Sequence, residues 1–164
     1  MKKNQIFRSA KLSNLKDEDL DILEKNKIFK IIDLRDPVEI KKAPDNLSSN
    51  LLKKYINLPI SANTLSRMAD AYQNSNYQEN ETIYEDVMKV SYQFYLENHL
   101  EVWKKFFTIL IESNGKPIIY HCSAGKDRTG IASYLIQSLC SQKEDLIFDN
   151  YMLSNKLLNH KDAT

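Results

Sequence analysis

Arginine is scarce in this chain of 164 residues: only Arg8, Arg35, Arg67 and Arg128 appear among its 23 basic residues. Neither sign of charge dominates, since 23 basic residues face 22 acidic ones for a net +1. A polyanion binder carries a basic excess, so nucleic acid is not an expected partner. No apolar run is long enough to cross a bilayer, and no continuous apolar stretch follows the N-terminal lysines. Neither integral membrane association nor a secretory signal is expected. Cytoplasmic residence is the default, with specialised secretion into a host left open. The two cysteines, Cys122 and Cys140, do not make a disulfide framework, and a reducing compartment suits them. With three histidines scattered along the chain they do not make a zinc set either. Repeats and low-complexity blocks are missing, and the length suits one domain with a sizeable core.

What the chain does have is the segment His121 to Gly130, HCSAGKDRTG. Pro117-Ile118-Ile119-Tyr120 before it reads as a short buried strand. Ile131, Ala132, Leu135, Ile136 and Leu139 after it recur at helical spacing. Cys122 therefore lies where a strand feeds a helix, facing the free N–H groups of the first turn. A free thiol titrates near ~8.5, and helix N-termini with nearby cations lower cysteines to roughly 3.5–7.5. The amides of Ser123, Ala124, Gly125, Lys126, Asp127 and Arg128 form an anion nest. Gly125 lets the backbone curl. Arg128 offers a planar fork for two phosphate oxygens, and Thr129 can donate its hydroxyl to the sulfur. This pattern predicts attack by Cys122 on phosphorus, a cysteinyl-phosphate, and its hydrolysis by water. Arginine and backbone dipoles neutralise the developing charge, so no metal or other cofactor is required. A Walker A loop would need glycine at position 120 and Ser or Thr at 127, where Tyr120 and Asp127 stand.

Elsewhere, Asp17 to Asn26 predicts a short helix, and Ile28 to Leu34 a buried strand broken at Asp36-Pro37. Positions 36–50 read as loop, and Tyr55 to Leu58 as a second strand. Residues 61–80, rich in Asn, Ser, Gln and Tyr, read as a mobile lid that sets pocket depth. Ile83, Val87, Val90 and Phe94 step along one helical face. Leu100, Trp103, Phe106, Phe107 and Leu110 continue on a second helix, with the junction near Asn98-His99 and a cap at Asn114-Gly115. These aromatics are expected in the core. Cys140, ~20 Å along the helix from Cys122, is expected as a buried apolar residue. Ser141-Gln142-Lys143-Glu144 matches a capping box opening a last helix through Phe148, Met152 and Leu157. Strands alternating with helices predict an α/β fold with a mostly parallel central sheet flanked by helices. Cys122 and Asp33 would emerge at the carboxyl ends of its strands.

The loop resembles the His-Cys-x5-Arg-Thr signature of the cysteine-dependent protein tyrosine phosphatase superfamily. Gly125-Lys126-Asp127-Arg128-Thr129-Gly130 is similar to a bacterial subgroup that includes the secreted mycobacterial phosphatase B and a listerial lipid phosphatase. Phe7-Arg8-Ser9-Ala10 with Leu12, Ile31-Ile32-Asp33-Leu34-Arg35 with Glu39, Asn57-Leu58-Pro59-Ile60, and Asp149 to Asn155 resemble further segments of that subgroup. The resemblance implies a phosphotyrosine phosphatase-like fold and hydrolysis of phosphotyrosine, with breadth to phosphoserine, phosphothreonine and phosphoinositides. In that subgroup the lysine matching Lys126 goes with phosphoinositide hydrolysis; a solvated lysine aiding phosphate binding is the plainer reading. Such relatives usually continue past this point with further helices, so the expectation is one domain over 1–164 that is short of them and exposes apolar surface.

Many relatives carry the general acid on a mobile loop with a Trp-Pro-Asp segment, but Trp103, the single tryptophan, sits between Val102 and Lys104. Two candidates remain. Asp127 stands inside the loop, as in myotubularin-like phosphatases, with capping of the helix N-terminus as its other reading. Asp33 ends a strand facing the same cleft, and could instead brace Arg8, Arg35 or backbone amides. Arg35 and Glu39 read as structural, and His121 as orienting Cys122. The rival functions are a pseudophosphatase, binding phosphorylated partners without turnover, and a thiol redox enzyme of the arsenate reductase kind. Retention of Cys122 and Arg128 argues against the first, and the distance to Cys140 against the second. Oligomeric state is not legible.

Overall fold

A computed structural model describes residues 4–61 and 81–157. Among the described residues short apolar runs give four strands, the two central ones buried on both faces and the two edge ones half-buried. They are β1 (Ile6–Ser9), β2 (Lys30–Asp33), β3 (Tyr55–Asn57) and β4 (Ile118–His121), all parallel in the order β1-β4-β2-β3. Among the described residues the helices are α1 (Asp17–Lys25), α2 (Pro37–Lys42), α3 (Ser49–Leu52), α4 (Glu81–Glu97), α5 (Leu100–Glu112), α6 (Asp127–Leu139) and α7 (Glu144–Leu157). The chain is thus the α/β fold expected, with a parallel sheet between helices.

Period-two alternation decides which side each strand residue serves. Ile32, Ile118 and Tyr120 join Tyr95, Trp103, Phe106, Ile131 and Ile136 on one face. Ile31 and Ile119 join Leu12, Ile28 and Leu51 on the other, with Phe7, Leu20 and Leu23 packed alongside. Burying each such side chain is worth about 1.5–3 kcal/mol, so a one-residue slip of β2 or β4 would forfeit several of them. The register sets Asp33 opposite His121, and Cys122 follows directly at the carboxyl edge.

Several expectations need correction. Residues 36–50 are not all loop: α2 lies there and α3 begins there. Pro37 takes the first turn of α2, where a missing N–H costs nothing, while Asp36 and Glu39 cap one another. Ile6–Ser9, read only as a family-like segment, is an edge strand. The buried face of α4 carries Ser91 and Tyr95, with Val90 44% exposed. On α7 it carries Ile147 and Ser154, with Phe148 60% exposed. Phe94 packs against the core as expected, but in both helices a small polar residue takes an inward position that the apolar pattern alone does not show. α7 begins at Glu144, and Ser141, expected as its cap, adopts φ 53° where the chain leaves α6. Cys140 is exposed rather than buried, because it caps the end of α6 where the chain turns off the sheet. The stretch expected as a lid, 61–80, lies outside the described residues apart from Ser61.

Candidate active site

The segment between β4 and α6 is shaped by what holds its carbonyls. Arg8 of β1 donates from Nε and Nη2 to the Gly125 carbonyl at 3.0 and 2.8 Å, and Nη2 lies 3.4 Å from the Lys126 carbonyl. The Lys11 N–H donates to the Ser123 carbonyl at 3.0 Å. A peptide is planar and trans, so its N–H points opposite its C=O. Pinning these three carbonyls against the N-terminal segment therefore turns the N–H groups of Ala124, Lys126 and Asp127 the other way. Among the described residues, no protein acceptor takes the N–H groups of Ser123 through Arg128. Gly125 makes the turn at φ 68°, and a Cβ there would lie 2.6 Å from the Ser9 carbonyl oxygen. Only glycine fits.

Cys122 is 3% exposed, and its Sγ accepts the Thr129 hydroxyl at 3.0 Å. Arg128, 6% exposed, donates from Nη1 and Nη2 to the two oxygens of Glu39 at 2.6 and 2.7 Å. Nη1 also lies 3.4 and 3.3 Å from the carbonyls of Leu34 and Ile60. Glu39 accepts the Ser123 hydroxyl at 2.5 Å and the Asp36 N–H at 2.9 Å as well. Burial pushes the Glu39 carboxyl up, but the hydrogen bonds from Arg128, Ser123 and Asp36 outweigh it and hold it at about 2. Burial likewise works against the Arg128 charge, and Glu39 more than restores it, so its pKa is raised. Tyr95, 2% exposed in the wall nearby, is pushed up to about 12, chiefly by burial.

The two acid candidates sit differently. Asp33 is fully buried, with both oxygens on the Arg35 guanidinium at 2.8–3.1 Å and the Tyr55 hydroxyl on Oδ2 at 2.8 Å. That is the bracing arrangement. Asp127 is half-buried at the head of α6 and accepts the Tyr92 hydroxyl on Oδ1 at 2.8 Å. Its Oδ2 has no partner among the described residues. His121 is fully buried, its Nδ1 lying 3.3 Å from the Cys122 carbonyl. The loop residues singled out from the sequence, Cys122 through Thr129, thus share one cup, while Asp33 lies beneath it.

A sequence profile described as the tyrosine phosphatase family matches residues 1–164. The chain belongs to that family. It is 27% identical over 147 residues, 90% of its length, to a tyrosine-protein phosphatase of Nostoc commune. Over 42 residues, 26% of its length, it is 45% identical to a provisionally named tyrosine-protein phosphatase of Cupriavidus necator. The matched stretches cover 47% of the length of the first relative and 15% of the second, so the chain spans about half the length of the first.

In this family member, the residues that sequence reasoning missed lie far from the loop along the chain. Asp45 and Tyr92 carry no local signal, Tyr151 showed itself only within the family-like segment Asp149 to Asn155, and Glu39 only as a structural residue. Asp33, Asp45 and His121 each offer a ligand atom within 4.8 Å of one another, which invites a metal. The set does not fit one, because Arg35 already supplies the cation there, 2.8 Å from Asp33 and 2.9 Å from Asp45.

Proposed function

We propose that the chain is a metal-independent phosphatase that hydrolyses phosphomonoesters through Cys122. The observation that carries this is the cup itself: one sulfur at its floor, amides without protein acceptors around it, and a guanidinium at its rim. Cys122 attacks phosphorus as the thiolate, and the ester oxygen leaves with a proton from Asp127. Water then attacks the cysteinyl-phosphate, gives its proton to Asp127, and releases phosphate and the thiolate. Arg128 and the amides of Ser123, Ala124, Gly125, Lys126 and Asp127 bind the equatorial oxygens and stabilise their charge. Thr129 donates to the sulfur when it departs.

Asp127 rather than Asp33 is the acid in this reading, since Asp33 is closed off by Arg35 and Tyr55 whereas Asp127 keeps one oxygen unpartnered. The substrate is phosphotyrosine, with breadth to phosphoserine, phosphothreonine and phosphoinositides. Lys126 supports the breadth: it belongs to the loop itself, and its ammonium has no partner among the described residues and is free to meet a second phosphate. Two free thiols, and no described helix long and apolar enough to cross a membrane, fit action in the cytoplasm.

The test is hydrolysis of an aryl phosphate with chelator present, by the native chain and by Cys122→Ser. Turnover that survives the chelator and vanishes in the variant is expected. A folded native sample that binds phosphate without turnover would establish the pseudophosphatase instead.

A further inference from the structure

Asp127 does not stand alone. The Tyr92 hydroxyl, from α4, donates to its Oδ1 at 2.8 Å, and the Tyr92 and Tyr151 hydroxyl oxygens are 2.5 Å apart. The rings of Tyr92 and Tyr151 meet edge to face, with centroids 6.4 Å apart. A phenol has one proton to give. Tyr92 gives its own to Asp127, so the short contact is filled by the proton of Tyr151. The direction of the chain follows: Tyr151 donates to Tyr92, and Tyr92 donates to Asp127. Burial, chiefly, raises both phenols above their ordinary value, so both keep their protons. Gly130 makes room for this arrangement, because a Cβ there would lie 2.8 Å from Tyr151 Cε2.

We propose that Tyr92 and Tyr151 are positioning residues that fix which oxygen of Asp127 carries the proton. An oxygen that accepts from Tyr92 cannot also hold the acidic proton along that line. Oδ1 is thereby the acceptor, and the proton rests on Oδ2, the oxygen with no protein partner among the described residues. The two phenols also clamp the carboxyl plane, so Oδ2 presents the proton in one orientation. This inference rests on the proposed role of Asp127 as acid, and the experiment separates the two.

Turnover is measured for aryl phosphates whose leaving groups run from dinitrophenol, which departs unaided, to phenol, which needs a proton. General acid catalysis contributes roughly 10²–10⁴-fold. Asp127→Asn is therefore expected to slow the phenyl ester on the order of 100-fold more than the dinitrophenyl ester. Tyr92→Phe is expected to do so by roughly tenfold, and Tyr151→Phe by about threefold, because each loosens the acid without removing it. A purely structural role would slow all esters alike. Uniform slowing in Tyr92→Phe and Tyr151→Phe, beside a steep dependence in Asp127→Asn, overturns the inference and spares the acid. A flat dependence in Asp127→Asn overturns the acid assignment and the inference with it. If Tyr92→Phe does not fold, Tyr151→Phe decides: an unchanged leaving-group dependence there overturns the inference.

Discussion

Replacing Glu39 by glutamine tests whether the rim of the cup is held by charge. Four donors converge on this carboxylate: Arg128 twice, the Ser123 hydroxyl and the Asp36 N–H. Glutamine keeps one acceptor oxygen and turns the other into a donor that faces a guanidinium. Holding the carboxyl at about 2 against an ordinary 4.5 corresponds to about 3 kcal/mol of preference for the charged form. The side chain is 28% exposed, so solvent screening trims that figure. A loss of about 2 kcal/mol at neutral pH is expected, which is typical of hydrogen bonds to charged groups. The folded-state pKa is depressed, so this stability is present above about pH 4.5 and is lost as pH falls towards about 2. Urea denaturation of both proteins across that range is the measurement, because subtracting one curve from the other cancels every other carboxylate. The difference should be constant at neutral pH, shrink below about pH 4.5, and be gone near pH 2. A difference that is negligible at neutral pH, or that does not change on acidification, would refute the reasoning.

Gly125→Ala should cost about 2 kcal/mol or more, from a left-handed backbone and a Cβ 2.6 Å from the Ser9 oxygen; a melting temperature equal to that of the native chain would contradict it. Gly130→Ala drives a methyl into Tyr151 Cε2, so its turnover should fall most for esters with poor leaving groups, and equal slowing of all esters would count against the contact. Arg8→Lys retains the charge but loses the fork on the Gly125 carbonyl, so a loss of about 1 kcal/mol in urea is expected together with slower aryl phosphate hydrolysis. Native stability with native turnover would show that the fork is not needed.

The cup was legible because ten consecutive residues carry it: the glycine that turns, the sulfur and the guanidinium all lie between His121 and Gly130. Strands β2, β3 and β4 were legible because short apolar runs stop at Asp-Pro, at Pro59 or at the loop. β1 was not, since four residues that include Arg8 and Ser9 give little apolar signal. α2 was hidden by reading Pro37 as a breaker, although proline is at home in a first turn and Glu39 three residues after Asp36 completes the cap. The buried faces of α4 and α7 were legible only in part, because Ser91 and Ser154 face inward while Val90 and Phe148 do not. Ser154 reaches that position by donating its hydroxyl to the Tyr151 carbonyl at 2.7 Å, which removes the penalty of burying it. A hydropathy pattern does not see such internal satisfaction.

The partners of the cup were illegible for a deeper reason. Converging several N–H groups on one point without a ligand is unfavourable for the chain alone, so the shape must be imposed from outside the loop. Here it is imposed by segments distant in sequence, with Arg8 and Lys11 holding the carbonyls and Glu39 holding the guanidinium. Beneath them Arg35, Asp33 and Asp45 form a buried charge cluster, and His121 joins it 3.2 Å from Asp45. Burial pushes the Asp45 carboxyl up, and the contact with His121 and the charge of Arg35 more than reverse it. An apolar filling of the same volume would give comparable stability without directing anything. The charges add direction: Arg35, with the Tyr55 hydroxyl, closes off Asp33, and His121 lies between Asp45 and the carbonyl of Cys122. Asp33 is thereby closed off, while Asp127 keeps one oxygen without a partner among the described residues. Under the proposed function, the division of labour between the two aspartates is set by which of them an arginine reaches.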